Sequence, residues 1–170
     1  MIRFSRVRYR VLQFWQTLWA PWRPVDLPYV EARLTPPLLA LFRTLPKSEQ
    51  HHAVQVGRAL EGQGLTDPDL ITAALLHDVG KARVRPRIWE RVLVVLGEYF
   101  FPQRAELWSR GAPRGLRRGF VIRRQHPAWG AELAAAAGAR PRTLSLIRDH
   151  HRSQVDAGEL AALQAADDAG

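Results

Sequence analysis

Cysteine is absent from all 170 residues. That excludes a disulfide framework, a cysteine-ligated zinc finger and thiol catalysis, so any metal site must be built from histidine and carboxylate. Lysine is nearly absent. Lys47 and Lys81 are the two in the chain, and the formal net charge of +9 comes almost wholly from arginine. No apolar run approaches the roughly 18 residues of a membrane span. Strand-like alternation and internal repeats are also missing. Trp15, Trp19 and Trp22 interrupt the apolar N-terminal stretch and no small-residue cleavage site follows, so a secretory signal is not expected. What is present is a globular composition, 46% hydrophobic and 24% charged, enough for one domain with a core, or a domain plus an arm.

The arginines are unevenly spread. Residues 1–25 carry five of them and no acid, and residues 83–124 carry eleven against Glu90, Glu98 and Glu106. The segments 26–82 and 125–170 are each slightly acidic. Basic blocks of this kind attract polyanions such as nucleotides, nucleic acids or anionic lipid. No nucleic-acid reader motif appears, and aromatics are not interleaved with the central arginines for base stacking, so nucleic acid is not the expected partner.

Proline and glycine divide the chain into helices, and the expected fold class is all-α. In the N-terminal arm Phe4, Val7, Val11, Phe14, Trp15, Leu18 and Trp22 share one helical face, with Arg6, Arg10, Gln13 and Thr17 opposite. This amphipathic helix is expected either to pack on the domain or to make a peripheral contact with anionic membrane through residues 1–24. Further helices are expected from Asp26 to Arg33, Pro36 to Leu45, Glu49 to Glu61 after a Ser48 cap, and Pro68 to His77-Asp78. Later ones cover residues 87–100, 102–110, 116–125, 128–137, 141–151 and 157–168.

The six histidines stand on or at the ends of these helices. His52 shares a face with Val56, Ala59 and Leu60. His77-Asp78 follows Ala-Ala-Leu-Leu, and a carboxylate there is costly unless paired or bound to metal. Asp167 follows Leu160, Leu163 and Ala166 on an inward face. Imidazole nitrogen with aspartate oxygen suits iron, manganese, zinc, nickel or cobalt. His51 is the alternative to His52, and Asp168 the alternative to Asp167.

The stretch Ala74-Leu75-Leu76-His77-Asp78-Val79-Gly80-Lys81 resembles the signature of the HD-domain metal-dependent phosphohydrolases. His52 stands at the family's upstream histidine, His77-Asp78 at its dyad and Asp167 at its distal aspartate, over about residues 47–168. His126-Pro127-Ala128-Trp129-Gly130 and His150-His151 are similar to the segments that supply a second metal in the binuclear branch. The resemblance implies that His52, His77 and Asp167 complete a first metal site. It implies that His126, His150 and His151 complete a second, with Asp78 bridging. Arg152 stands where that branch often has glutamate, and its Gly-Tyr-Pro sequence is absent, which argues against cyclic di-GMP as substrate.

By this likeness the chain is a compact helical bundle. Its parts are an arm over residues 1–46 and a phosphohydrolase domain over 47–170, with an arginine-rich insertion at about 83–124. The implied activity is hydrolysis of a phosphoester, in a nucleotide or related small phosphate compound, using one or two divalent transition metals. Asp78 and Lys81 are the implied catalytic residues. Lys81, Arg83, Arg85 and Arg87 are the candidate phosphate contacts, since guanidinium bonds phosphate oxygens in pairs. The alternative is a non-catalytic signalling module of the same fold that binds nucleotide or a partner protein. The expected compartment is the cytoplasm, with membrane association through the arm as a variant.

Overall fold

The computed structural model describes residues 24–153 and 156–169, and among these there are helices and no strands. The N-terminal amphipathic helix expected over residues 1–24 therefore lies almost wholly outside the described residues. The α-helices are α1 (Leu27–Glu31), α2 (Pro36–Phe42), α3 (Lys47–Gly62), α4 (Pro68–Leu76), α5 (Ile88–Phe100), α6 (Pro102–Trp108), α7 (Arg118–Ala136), α8 (Pro141–Asp149) and α9 (Glu159–Ala169). Short 3₁₀ turns at Val79–Ala82 and Gly115–Arg117 complete the described chain. No described helix is long and apolar enough to cross a membrane.

Local chemistry sets most of the starts. Asp26 accepts from the Tyr29 N–H and Asp67 from the N–H groups of Asp69 and Leu70, each satisfying donors at a helix start. Proline occupies the first turn of α1, α2, α4, α6 and α8, where its missing N–H costs nothing. The α3 start differs from expectation. Ser48 is inside the helix and Pro46 is at the cap position.

The main core is formed by α1–α4, α8, α9 and the C-terminal half of α7. α4 is buried almost throughout: Leu70, Ile71 and Ala73–Leu76 are all inaccessible or nearly so. It lies between α3 and α8, with α9 also against α3. Val30, Leu34, Leu38, Phe42 and Leu45 belong to this core, so packing begins well before residue 47. A small second core, Val94, Ala105 and Phe120 with Leu93 and Trp108, holds α5 and α6 against the N-terminal half of α7. Glu90 clasps this unit. Arg118 Nη1 reaches its two oxygens at 2.7 and 2.6 Å and Arg118 Nη2 bonds the Arg85 carbonyl at 2.7 Å.

Two expectations about helix limits need correction. The segments 116–125 and 128–137 are one helix, α7, which runs through Pro127. Proline removes one helical N–H, yet both flanks of α7 are held by tertiary packing, against α5 and α6 before it and against α8 and the Val79–Ala82 turn after it. α4 ends at Leu76, with His77 as its C-cap, rather than continuing to Asp78. The α3 core stripe also differs: Ala53, Val56, Gly57 and Leu60 are buried, while Ala59 is exposed.

Candidate metal centre

His77 and His150 are the C-cap residues of α4 and α8. Carbonyls in a last helical turn lack backbone partners, and the rings use them. His77 Nδ1 lies 2.8 Å from the Ala74 carbonyl and His150 Nδ1 2.7 Å from that of Ile147. In mid-helix, His126 Nδ1 lies 3.0 Å from the Ile122 carbonyl. A ring nitrogen facing a carbonyl carries a proton, so the direction of each Nε2 is set, and wherever the ring is neutral Nε2 keeps its lone pair.

Those three Nε2 atoms are buried and have no hydrogen-bond partner. Those of His77 and His126 face Asp78, which is 3% exposed. Asp78 Oδ1 lies 3.2 Å from His126 Nε2, and Oδ2 lies 3.5 Å from His77 Nε2. Asp167 Oδ1 lies 2.8 Å from His52 Nε2 and 3.3 Å from His77 Nε2. The rings stack edge to face in a continuous chain, His52–His77–His150–His126, with centroids 5.4, 5.1 and 5.2 Å apart. His151 closes it, 4.2 Å from His150 and 5.0 Å from His126. Two groups have donor atoms all within 4.8 Å of one another: His52, His77 and Asp78, and His126, His150 and His151.

A lone pair aimed at a carboxylate oxygen is repulsive unless positive charge lies between them. The electrostatics of the site are arranged around that requirement. Burial would lower His77, but Asp78 and Asp167 outweigh it and raise it to about 9. Burial lowers His126, and lowers His150 well below its ordinary value with help from His77, His151 and His126. His151 is pushed down to about 3, by burial of its ring and by His126 and Arg123. Burial would raise Asp78, yet Lys81, His77 and His126 hold it well below the usual carboxylate range. Asp167 is held down in the same way by His77 and by the His52 bond. The result is two ionised carboxylates among mostly neutral imidazoles, a donor set that fits a divalent metal of the imidazole-and-carboxylate class.

Lys81 sits at the edge of this cluster. It bonds Asp78 and lies 3.4 Å from Glu49 Oε2, and Glu49 also bonds Arg91. Burial opposes its charge, but Asp78 and Glu49 outweigh burial and raise its pKa.

Geometry explains the glycine beside the dyad. A Cβ on Gly80 would stand 1.9 Å from the His126 carbonyl oxygen and 2.7 Å from the Gly130 nitrogen. The turn after the dyad thus lies directly against the α7 backbone, which brings His126 over Asp78. The approach is reciprocal: a Cβ on Gly130 would stand 3.2 Å from the Gly80 nitrogen.

The profile of the HD-domain family matches residues 50–168, more than half of the chain. The chain belongs to the HD-domain family. HD domains bind divalent metals, and most members are metal-dependent hydrolases. No curated protein and no solved structure matches the chain.

The seven sequence-derived ligand candidates, His52, His77, Asp78, His126, His150, His151 and Asp167, thus come together in this HD domain, with Lys81 beside them. Asp168 is exposed at the end of α9. The arginine candidates are placed differently. Arg83 is paired with Glu132 at 2.9 Å and lies over Trp129, and Arg85 and Arg87 are exposed. Arg91 and Arg123 are the arginines whose charge reaches the site, at Lys81 and His151. Sequence reasoning missed them and Glu49. For Arg123 a signal exists, since it lies one turn before His126 on α7. Glu49 is likewise one turn before His52, but an acid in a first helical turn is too common to stand out.

Proposed function

We propose that this HD domain hydrolyses a phosphoester, in a nucleotide or related small phosphate compound, with one or two divalent metals held by His52, His77, Asp78, His126, His150, His151 and Asp167. The observation that carries the reading is Asp78. Its two oxygens face histidines of two different groups, the position expected of a bridging carboxylate. When bound there, a divalent metal supplies Lewis acidity at phosphoryl oxygen and lowers the pKa of water from about 15.7 towards roughly 7.

The protein's own groups have separable tasks. Asp78 and Asp167 stay ionised at neutral pH and hold positive charge in a buried place. Imidazoles that are neutral add no negative charge, so the loaded site stays attractive to an anion. Lys81 keeps its proton through the neutral range, so it neutralises phosphate charge and does not act as a base. Asp78 and Glu49 fix its ammonium, which limits the entropy lost when a phosphate binds. Arg85 and Arg87, exposed on the segment after Lys81, and Arg123 beside His151 are the next candidates for phosphate contact. The cytoplasm is the compartment this reading expects.

The test uses the full chain purified without chelator, elemental analysis, and turnover of p-nitrophenyl phosphate and bis(p-nitrophenyl) phosphate. Wild-type protein should hold stoichiometric metal and release nitrophenol. Asp78→Asn should lose metal and at least about 100-fold in turnover, the scale of removing one essential charge from an active site. Full activity in Asp78→Asn overturns the proposal. Metal-loaded wild type that turns over no phosphoester, nucleotides included, makes the domain a binding module instead.

A further inference from the structure

α5 buries one face and leaves a second apolar face in solvent. Glu90, Val94 and Gly97 point inward. On a helical wheel Ile88, Trp89, Val92, Leu96 and Phe100 fall within an arc of about 120° on another side. They are 57%, 45%, 46%, 49% and 62% exposed, and Phe101 at the helix end is 53% exposed. A surface helix ordinarily carries polar residues there, and a contiguous exposed apolar patch marks a docking surface.

Charge identifies what docks. The acids of this region are each engaged by arginines of the same block: Glu90 by Arg118, Glu98 by Arg123 and Glu106 by Arg110. Arg85, Arg87, Arg104, Arg114, Arg117 and Arg124 are exposed and form no ion pair among the described residues. Arg85 and Arg87 lead into α5, and Arg104 lies in the helix that follows it. The apolar face is thus set in a region of uncompensated positive charge. It is one convex helix surface rather than a groove, with Trp89 near one end and Phe100 and Phe101 at the other. Aromatic rings favour the headgroup level of a bilayer, and arginines pair with lipid phosphates. Both match a helix lying in the plane of an anionic membrane surface.

We infer that α5 is a membrane-docking helix, seating Ile88, Trp89, Val92, Leu96 and Phe100 at the headgroup–acyl boundary of anionic lipid while the neighbouring arginines hold phosphate groups. The inference rests on this face and the arginines around it, and does not depend on the proposed reaction.

Co-sedimentation of the full chain with vesicles tests it. One set is phosphatidylcholine, the other phosphatidylcholine and phosphatidylserine in a two-to-one mixture. Wild type should sediment with the anionic vesicles, less so as salt rises, and weakly with the neutral ones. Val92→Glu/Leu96→Glu, at two exposed positions, should keep the wild-type circular dichroism and melting temperature and lose at least about tenfold in partitioning. Arg85→Glu/Arg87→Glu should weaken binding to anionic vesicles without touching the apolar face. Trp15→Ser/Trp19→Ser, in the arm, should bind as wild type does. Unchanged binding in Val92→Glu/Leu96→Glu overturns the inference, as does loss confined to the arm variant. A wild type that ignores both vesicle sets also overturns it. If that protein is a dimer which Val92→Glu/Leu96→Glu disperses, the face belongs to a second copy.

Discussion

Glu49 is 5% exposed, and buried carboxylates are rare unless paired. Its two oxygens serve two cations from different parts of the chain, Lys81 after the dyad and Arg91 on α5. Among the described residues its ion pairs are with Lys81 and Arg91 and with no candidate metal ligand, so its role is to position Lys81. Glu49→Gln keeps the shape and removes the charge. We expect unchanged metal content, a loss of about 1–3 kcal/mol in stability from a weakened charge-assisted pair, and a raised KM for an anionic substrate. Urea unfolding, elemental analysis and steady-state kinetics read the three separately. Metal loss in Glu49→Gln would instead make it part of the ligand shell. At this scale the sequence was most legible where chemistry is rare. A His-Asp pair inside an apolar helix stands out because burial makes it costly. Glu49 and Arg91 are ordinary surface types, and only folding removes them from solvent.

Among elements, the contact between the Val79–Ala82 turn and α7 decides whether the two histidine groups share Asp78. It depends on Gly80, where a methyl group would meet the backbone of α7 rather than a movable side chain. Gly80→Ala should therefore cost more than about 3 kcal/mol, the range of severe overpacking, or prevent folding. Gly62, near the end of α3, has nothing within 4 Å of an added Cβ. Gly62→Ala should be neutral or gain about 0.5–1 kcal/mol through reduced unfolded-state entropy. Thermal melts of the pair make the comparison; equal melting temperatures would show that the Gly80 contact does not constrain the fold. That a glycine follows the dyad was readable in the sequence, although α4 already ends at Leu76. The reason for that glycine, a backbone-on-backbone approach to residues 46 and 50 positions away, was not. The continuity of α7 through Pro127 was equally hidden, because local rules place a boundary before proline.

For the whole molecule, metal, protons and stability are linked through His77. In the metal-free chain its folded pKa of about 9 exceeds the ordinary 6.5. Folding stability from this group is thus complete below about pH 6.5 and is lost as pH rises through about 9. A divalent metal competes with that proton, so it binds more tightly as pH rises over the same window. Added metal should accordingly raise the melting temperature of chelator-stripped protein more near pH 9 than near pH 6.5. A stabilisation that is flat across this window would show that metal and the His77 proton do not compete.

By itself, the sequence settled the helical class through proline and glycine spacing, and marked the residues whose burial needs a charged partner. With no cysteine in the chain, any metal ligand had to come from histidine and carboxylate. Tertiary structure alone decided which cations serve the site. Ion pairing is a matter of distance in space, so Arg83, close to the dyad in sequence, went to Glu132, while Arg91 reached Lys81 through Glu49. It also decided that the apolar helix α5 lies with one face uncovered. Periodicity counts apolar positions, but only the packing of neighbours determines which of them leave water.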